Sequence, residues 1–261
     1  MPVSDYARDL NLLKAAAQEA GRIASKFAQG SPEVWDKPDG AGPVTEADLA
    51  VNKMLEAELQ AARPDYGWLS EETPPHNKRL GCERVFIIDP IDGTRSFIEG
   101  SNTWAHSLAI AERGRIVAGV VFLPQRDLLY TAAYGLGAKL NGAQIKPSRK
   151  SDMATASVLA ARPTMDPKHW SDLPPEFARS HRSSLAYRLA LVADGQFDAM
   201  LTLRATWEWD IAAGTILLQE AGATVTDKSG APLVFNNADP RLPGVVTANV
   251  ALHGQLLSAL R

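Results

Sequence analysis

Cysteine is almost absent from this 261-residue chain, in which Cys82 is the only one. A lone cysteine cannot form an internal disulfide or a cysteine-rich zinc site, so we expect a protein of a reducing compartment. Long apolar runs are absent as well, because no stretch approaches the length of a membrane-spanning helix and the amino-terminal segment lacks the apolar core of a signal peptide. The sequence therefore predicts a cytoplasmic protein that does not contact a membrane.

A strong excess of charge of either sign is also missing. The 27 basic and 30 acidic residues give a formal net charge of −3, unlike the basic surface of a general nucleic-acid binder. We therefore expect no nucleic-acid polymer as a partner, although a pocket with a few local cations could still bind a mononucleotide. The hydrophobic content of 45% is enough for a substantial core, formed by one large domain or by two closely packed halves.

The pattern of predicted elements changes near residue 155. The first half, residues 1–155, contains two predicted helices and then an antiparallel meander of strands. The second half, residues 156–261, alternates short strands with helices. A cluster of prolines and glycines over residues 36–43 predicts an exposed, mobile loop. The chain therefore reads as a mixed α/β protein with two halves.

The most informative segment is residues 88–94, with the sequence IDPIDGT. It follows an apolar run that predicts a buried strand, and we expect this strand to end near Asp89 because Pro90 cannot donate to a sheet ladder. The carboxylates of Asp89 and Asp92 would then lie in a tight turn at the end of the strand.

The same turn carries groups that favour an anion. Gly93 lets backbone amides approach a ligand closely, and Thr94 offers a hydroxyl and can begin a helix with free N–H groups. Carboxylates suit hard cations and such amides suit phosphate, so the turn indicates metal-assisted phosphoryl chemistry. Taken alone, the pattern also fits an ordinary strand-to-helix turn with an Asp cap.

Three more acidic positions extend this pattern. Asp48 follows Thr45 near a predicted helix start, Glu71 lies at the end of a predicted strand, and Asp210 lies at the start of another helix. Taken singly, Asp48 and Asp210 could simply cap their helices, and Glu71 could be solvated surface.

Together these segments resemble the inositol monophosphatase superfamily. The resemblance rests on GPVTEAD at 42–48, SEE at 70–72, DPIDGT at 89–94, WDIAAG at 209–214 and EAG at 220–222. They follow the order and rough spacing of the family and cover nearly the whole chain. The resemblance implies a magnesium-dependent, lithium-sensitive phosphomonoesterase of the α/β (α+β) class, with a layered αβαβα fold.

The resemblance also implies the metal ligands. Glu71, Asp89 and the backbone carbonyl of Ile91 would bind one Mg²⁺. Asp89, Asp92 and Asp210 would bind a second, and a third, weaker ion would lie near Glu71. The residue types agree with this assignment, because Mg²⁺ prefers a few carboxylates together with waters and phosphate oxygens.

Further roles carried over by the resemblance concern phosphate and water. The amides of Gly93 and Thr94 would bind the phosphate. Asp48 and Thr94 would position the attacking water and help to deprotonate it, while Glu72 would be an adjacent acid. No side-chain nucleophile is needed, because the metal activates the water.

The second half of the chain carries the best indication of the substrate. SSL at 183–185, LVADGQ at 191–196 and RATWEWD at 204–210 look most like the bacterial 3'(2'),5'-bisphosphate nucleotidases, which remove the 3'-phosphate from adenosine 3',5'-bisphosphate. That substrate has a second phosphate, which needs a cation away from the metals. The candidate substrate contacts are Arg204, Arg188, Arg162 and Lys37, together with Ser183. Each of these cations could equally be a solvated surface residue.

Other activities remain open. Ile91 stands where the bisphosphatase branch often carries Leu, and residues like Arg95 to Phe97 also occur in histidinol-phosphatases. Inositol 1-phosphate or a broad range of sugar phosphates is a further alternative, although Leu203 and Arg204 replace an acidic residue that is usual in inositol-1-phosphatases. A catalytically silent, metal-binding family member is the non-enzymatic alternative.

The oligomeric state is indicated only weakly. Members of the family are often dimers, which makes a homodimer possible. Trp104 and the neighbouring meander are candidates for its apolar contact, since exposed apolar patches often mark interfaces.

Overall fold

The computed structural model describes residues 3–28, 30, 32–37 and 42–261. In this part of the chain the α-helices are α1 (Val3–Ala28), α2 (Glu46–Ala62), α3 (Thr94–Ile98), α4 (Leu185–Ala193), α5 (Glu208–Ala221) and α6 (Val250–Ala259). The strands of the first half are β1 (Val34–Asp36), β2 (Pro43–Thr45), β3 (Gly67–Ser70), β4 (Arg84–Asp92), β5 (Ala105–Glu112), β6 (Arg115–Leu123), β7 (Leu128–Ala133), β8 (Ala138–Leu140) and β9 (Ala143–Gln144). The strands of the second half are β10 (Ser157–Ala160), β11 (Ala178–Ser180), β12 (Ala199–Thr202), β13 (Thr206–Trp207), β14 (Thr224–Thr226), β15 (Arg241–Leu242) and β16 (Val245–Ala248).

The elements stack in five layers. A seven-stranded sheet in the order β3-β4-β5-β6-β7-β8-β9 packs on one face against α1 and α2. Its other face packs against α4 and α5, which also cover a five-stranded sheet in the order β11-β10-β12-β16-β14. Helix α6 packs on the far face of this second sheet. The succession of helices, sheet, helices, sheet and helix confirms the predicted αβαβα fold.

The alternation of side chains in the central strands produces this layering. Along β4, Phe86 and Ile88 belong to the cluster with α1 and α2, while Val85 and Ile87 belong to the cluster with α4 and α5. Successive residues of a strand point to opposite faces, so a sheet covered on both faces needs apolar residues at every position. The continuous apolar run before Asp89 is therefore the signature of a doubly covered strand.

The seven-stranded sheet uses residues 67–144 and the five-stranded sheet uses residues 157–248. The exact division near residue 155 stays a prediction. One hydrophobic cluster contains Val85 and Leu159, and so joins the two sheets through α4 and α5.

No helix of the described segments is both long enough and apolar enough to cross a bilayer.

The expectation that β4 ends near Asp89 is wrong. The strand continues to Asp92, and its antiparallel register with β5 shifts from Asp89↔Ser107 to Asp92↔Ala105. Two residues of β4, Pro90 and Ile91, therefore lie opposite one residue of β5. This two-to-one pairing is a β-bulge. A bulge leaves one residue outside the regular ladder, so a strand can accommodate proline there.

Two other expectations can be compared with the structure. Residues at the ends of the predicted 36–43 loop belong to β1 and β2, which pair antiparallel, while 38–41 lie outside the described residues. The expectation that Trp104 offers an apolar surface contact is wrong. Its side chain is only 1% exposed and packs edge-on against Phe97 and His106. The homodimer itself stays a prediction.

Candidate active site

Three carboxylates meet where the end of β4 approaches the first turn of α5. Asp89 and Asp92 belong to β4 and Asp210 to α5, and one oxygen of each lies within 4.8 Å of the others. Ser107 on β5 fixes the start of α5, because its hydroxyl donates to the backbone carbonyl of Trp209 at 2.9 Å. The structure thus brings together three of the predicted metal ligands.

Burial and mutual repulsion shape the charge state of this cluster. Burial, followed by the neighbouring carboxylates, raises the pKa of Asp89 and of Asp210 well above the ordinary value. The Asp89 Oδ1 atom is buried and has no hydrogen-bond partner within the described residues. Buried carboxylate oxygens normally have partners, and clustered ones repel unless a cation neutralises them. The three carboxylates therefore fit a metal ion, which they could bind through oxygen.

Asp92 is also held by the amino terminus of α4. Its Oδ2 atom accepts from the hydroxyl of Ser184 and from the backbone N–H of Ala186, each at 2.6 Å. Burial raises the pKa of Asp92 to about 6, against the opposing effect of these two hydrogen bonds. Ser184 is the N-cap of α4 as well, since its oxygen accepts from the N–H of Tyr187.

Glu71 reaches the site from the end of β3. Its backbone N–H donates to the carbonyl of Ile88 at 3.1 Å, which fixes it beside β4. Lys37 donates to Glu71 at 2.7 Å and to Glu72 at 2.6 Å. Burial and the charge of Glu71 raise the pKa of Glu72 to about 7. Burial lowers the pKa of Lys37, but the charges of the two carboxylates outweigh burial and raise it. Lys37 therefore contacts the acidic residues, whereas a cation for a second phosphate was expected away from them.

Asp48 and Thr94 are neighbours at the start of α2 and α3. Thr45 and Asp48 form a capping box: Asp48 Oδ2 accepts from the N–H of Thr45 at 2.8 Å, and Thr45 Oγ1 accepts from the N–H of Asp48. The other oxygen, Asp48 Oδ1, lies 3.3 Å from the hydroxyl of Thr94, which is also 3.2 Å from the carbonyl of Ile91. Burial raises the pKa of Asp48 to about 6. A buried carboxylate of raised pKa beside a hydroxyl can accept a proton near neutral pH.

Gly93 makes the turn between β4 and α3. Its φ of +101° lies in the left-handed region, which strains other residues. A side chain there would also contact Trp104 and the backbone N–H of Ser184, about 3.5 to 3.6 Å from the position of a Cβ atom. Those distances are ordinary van der Waals contacts, so it is the positive φ that favours glycine at this position.

The turn opens into a cleft of about 620 Å³. Glu71, Gly93 and Thr94 line it together with three arginines, Arg95, Arg188 and Arg204. The other lining residues are Gly42, Pro43, Ser96, Glu99, His181 and Ser183. The cleft thus has acidic groups and cations on its walls.

Arg188 is held by backbone carbonyls, whereas Arg204 is exposed. Arg188 donates through Nε to the carbonyl of Arg182 at 2.5 Å and through Nη2 to the carbonyl of Ser183 at 3.1 Å. Burial lowers the pKa of Arg188, and the nearby charge of Arg204 adds to the effect. Arg162 lies in a short 3-10 helix after β10 and is not among the described residues that line the cleft.

Sequence reasoning missed two residues that contact this site. Ser184 precedes an apolar helical run and so marks the start of α4 in the sequence, but this N-cap signal does not indicate the contact with Asp92. His106 contacts the carbonyl of Pro90 through Nδ1, and a lone histidine in a strand gives no such signal. Burial lowers the pKa of His106 to about 4.

Comparison with known proteins gives concordant matches. The model of the inositol monophosphatase family matches residues 5–261. An inositol-1-monophosphatase of Mesorhizobium japonicum is 32% identical, over 97% of this chain and 96% of the relative. A 3'(2'),5'-bisphosphate nucleotidase CysQ of Aggregatibacter actinomycetemcomitans is 34% identical, over 85% of this chain and 86% of the relative. The crystal structure of extragenic suppressor protein suhB from Bartonella henselae is 28% identical with a TM-score of 0.81, covering 96% of this chain and 97% of that one.

Proposed function

The chain belongs to the inositol monophosphatase family of phosphoric monoester hydrolases, and from this membership we propose that it hydrolyses the 3'-phosphate of adenosine 3',5'-bisphosphate. The observation that carries the proposal is the composition of the cleft, which combines acidic groups and the Gly93 turn with Arg188 and Arg204. A bisphosphate substrate needs both features, because one phosphate reacts at the metals and the other must be neutralised elsewhere.

The acidic residues fit Mg²⁺, the cofactor that we propose. Asp89, Asp92 and Asp210 would hold one ion, and Glu71 with Asp89 and the carbonyl of Ile91 would hold another. Asp89 Oδ1, which is buried and has no hydrogen-bond partner in the described part of the chain, supports this assignment. When bound, Mg²⁺ would neutralise the carboxylates, increase the acidity of water and stabilise the charge of the leaving oxygen.

The chain's own residues would bind the phosphate and move the proton. The N–H groups of Gly93 and Thr94 would bind the phosphate oxygens at the turn. The Thr94 hydroxyl can donate to Asp48 Oδ1. The lone pairs of the hydroxyl oxygen are then free to accept a hydrogen bond from the attacking water. Asp48 would receive the proton in the end, and its raised pKa suits it to this role near neutral pH. Glu72, paired with Lys37, would keep that lysine beside the acidic residues.

The second phosphate would be bound by the arginines, with Arg204 as the principal contact and Ser183 beside it. A guanidinium can hold a phosphate through two parallel hydrogen bonds. Arg188 already donates to two backbone carbonyls, so it would contribute mainly a fixed positive charge. The sequence alone made Lys37 a candidate contact for the second phosphate. The structure makes this role less favourable, because the ammonium group of Lys37 forms ion pairs with two carboxylates.

Substitution of Arg204 tests the substrate. Arg204→Ala should lower kcat/KM for adenosine 3',5'-bisphosphate by roughly tenfold to a hundredfold, the loss of one charged hydrogen-bonding contact. It should leave inositol 1-phosphate almost unaffected, because that substrate has no second phosphate. Arg162→Ala is the matched control, since Arg162 is not among the described residues that line the cleft. Equal losses on both substrates, or no loss on either, would contradict the nucleotidase proposal.

Inositol 1-phosphate is the second candidate substrate, supported by the 32% identity to an inositol-1-monophosphatase. Histidinol phosphate and other sugar phosphates follow it. A comparison of kcat/KM for these phosphates and for adenosine 3',5'-bisphosphate, each with Mg²⁺, ranks the candidates directly. A preference of the wild-type protein for inositol 1-phosphate would favour this second candidate.

A further inference from the structure

A buried histidine contacts the metal-binding turn without being a candidate ligand. His106 lies on β5 with its side chain fully buried, and its ring packs edge-on against Trp104 at 5.4 Å between ring centres. Phe122 lies on another side of the ring at 6.3 Å. The Nδ1 atom is hydrogen-bonded to the backbone carbonyl of Pro90. Because a carbonyl can only accept, Nδ1 must carry a proton, and in the neutral ring Nε2 is then bare.

His106 stands opposite the β-bulge of β4. The ladder pairs Asp89 with Ser107 and Asp92 with Ala105, so Pro90 and Ile91 together face His106 alone. In a regular strand, residues three positions apart point to opposite faces of the sheet. One extra residue in a bulge reverses this relation. The bulge is therefore what allows Asp89 and Asp92 to reach the same cluster.

The chemistry of the contact also points to a role beyond packing. The Nε2 atom of His106 is buried and has no hydrogen-bond partner among the residues that the structure describes. An unpartnered polar atom in an apolar environment lowers stability, and an apolar side chain of similar size would avoid this loss. The histidine therefore offers an advantage only through its other nitrogen, which donates to Pro90.

We propose that His106 is a positioning residue for the metal site: its hydrogen bond to the Pro90 carbonyl fixes the bulge, and so directs Asp89, the Ile91 carbonyl and Asp92 towards one point. This inference rests on the proposed metal site. Ser107, the next residue of β5, fixes the carbonyl of Trp209 on the other face of the sheet. Adjacent residues of one strand thus hold the two segments that supply the three carboxylates.

Two substitutions separate the hydrogen bond from the packing. His106→Leu keeps the approximate volume and removes the donor, whereas His106→Asn retains an N–H donor near the position of Nδ1. Phe122→Leu is the control that changes the packing around the ring and leaves the hydrogen bond in place. The readouts are Mn²⁺ binding, followed by electron paramagnetic resonance, and thermal unfolding in EDTA.

We expect His106→Leu to weaken Mn²⁺ binding by roughly tenfold or more, as is usual for residues that orient metal ligands. His106→Asn should bind Mn²⁺ nearly as the wild type does, and Phe122→Leu should lower Tm without changing Mn²⁺ affinity. Unchanged binding by His106→Leu would overturn the proposal, as would equal losses in His106→Leu and His106→Asn. If the wild type binds no Mn²⁺, the metal site and this inference both fail.

A measurement on the wild type does not depend on folding of the variants. Nitrogen-15 NMR of the histidine side chains should find His106 as the Nδ1–H tautomer, with a slowly exchanging proton whose resonance shifts when Mg²⁺ is added. The Nε2–H tautomer, or an Nδ1 proton that does not respond to Mg²⁺, would overturn the proposal.

Discussion

At the scale of single residues, Asp89 has the greatest influence on the proposed metal site, because it would contact both principal ions. Asp89→Asn should nearly abolish Mg²⁺-dependent phosphate release. The variant should fold, and in EDTA its Tm should equal or exceed that of the wild type, since one charge leaves a repelling cluster. Phosphate release and thermal unfolding measure the two effects.

Asp172→Asn is the matched control, because Asp172 is exposed. It should change neither activity nor Tm. Near-normal magnesium-dependent activity of Asp89→Asn would be incompatible with the assigned ligand set.

Thr94 and Asp48 should act as one unit in proton transfer. Thr94→Ala and Asp48→Asn should each lower kcat, and the double variant should be little slower than the slower single variant. An asparagine oxygen can still accept from the N–H of Thr45, the N-cap of α2, so the Tm of Asp48→Asn should fall only slightly. A double-mutant cycle on kcat measures the coupling. Fully additive losses in activation free energy would mean that the two residues act independently.

The contrast between predicted and missed residues has a physical cause. Asp89, Asp92 and Thr94 belong to one short motif, so their chemistry is readable from the local sequence. The contact between Ser184 and Asp92 joins residues far apart in the chain. The local sequence around neither residue indicates that the two side chains meet. The contact between His106 and Pro90 was not predictable for the same reason, since it forms only when β5 pairs with β4.

At the scale of elements, helix α4 begins at the metal site. Ser184 caps this helix and donates to Asp92, so its hydroxyl has a local and a tertiary partner. Ser184→Ala should lower the stability by about 1 kcal/mol, the usual effect of a lost cap. It should also weaken Mg²⁺ binding, because Asp92 loses a donor that orients it. Denaturant unfolding and calorimetric Mg²⁺ titration measure the two effects.

Asn249 provides the comparison, since it caps α6 by accepting from the N–H of Leu252 and is not part of the metal cluster. Asn249→Ala should lower stability without weakening Mg²⁺ binding. If both cap variants bind Mg²⁺ like the wild type, the link between α4 and the metal site is absent.

Some helix ends have signals that are local in the sequence. Gly222, which follows the apolar residues of α5, ends that helix in the left-handed conformation, a common position for glycine. The end of β4 was not predictable, because the bulge exists only when β5 supplies the opposite register. The pairing of β1 with β2 also depends on a partner strand, and the composition of residues 36–43 gave only a loop.

At the scale of the whole molecule, buried acids make stability depend on pH. Burial raises the pKa of Asp48 and Asp92 to about 6 and that of Glu72 to about 7, above their values in an unfolded chain. In this range these three acids bind more protons in the folded protein than in the unfolded chain, and they outnumber His106, whose lowered pKa has the opposite effect. Stability from these groups is complete below about pH 4 and is lost as the pH rises through about 6 to 7.

In EDTA, Tm should therefore fall by roughly 5 °C or more between about pH 5 and about pH 8. With saturating Mg²⁺ the fall should be much smaller, because the cations neutralise the carboxylates. Differential scanning calorimetry at the two pH values, with and without Mg²⁺, measures this. A Tm in EDTA that rises over this range, or is independent of pH, would contradict the protonated state of the buried acids.

The close packing of α5 in the middle layer has a consequence for motion. A Cβ atom on Gly214 would lie 2.4 Å from Leu189 of α4, and one on Gly119 of β6 would lie 2.6 Å from Ile216 of α5. The helix is thus fixed from two sides, and Asp210 cannot move away from β4 unless the layers separate. A cation that draws the three carboxylates together should therefore slow deuterium exchange along the whole of α5, far beyond the residues that it touches.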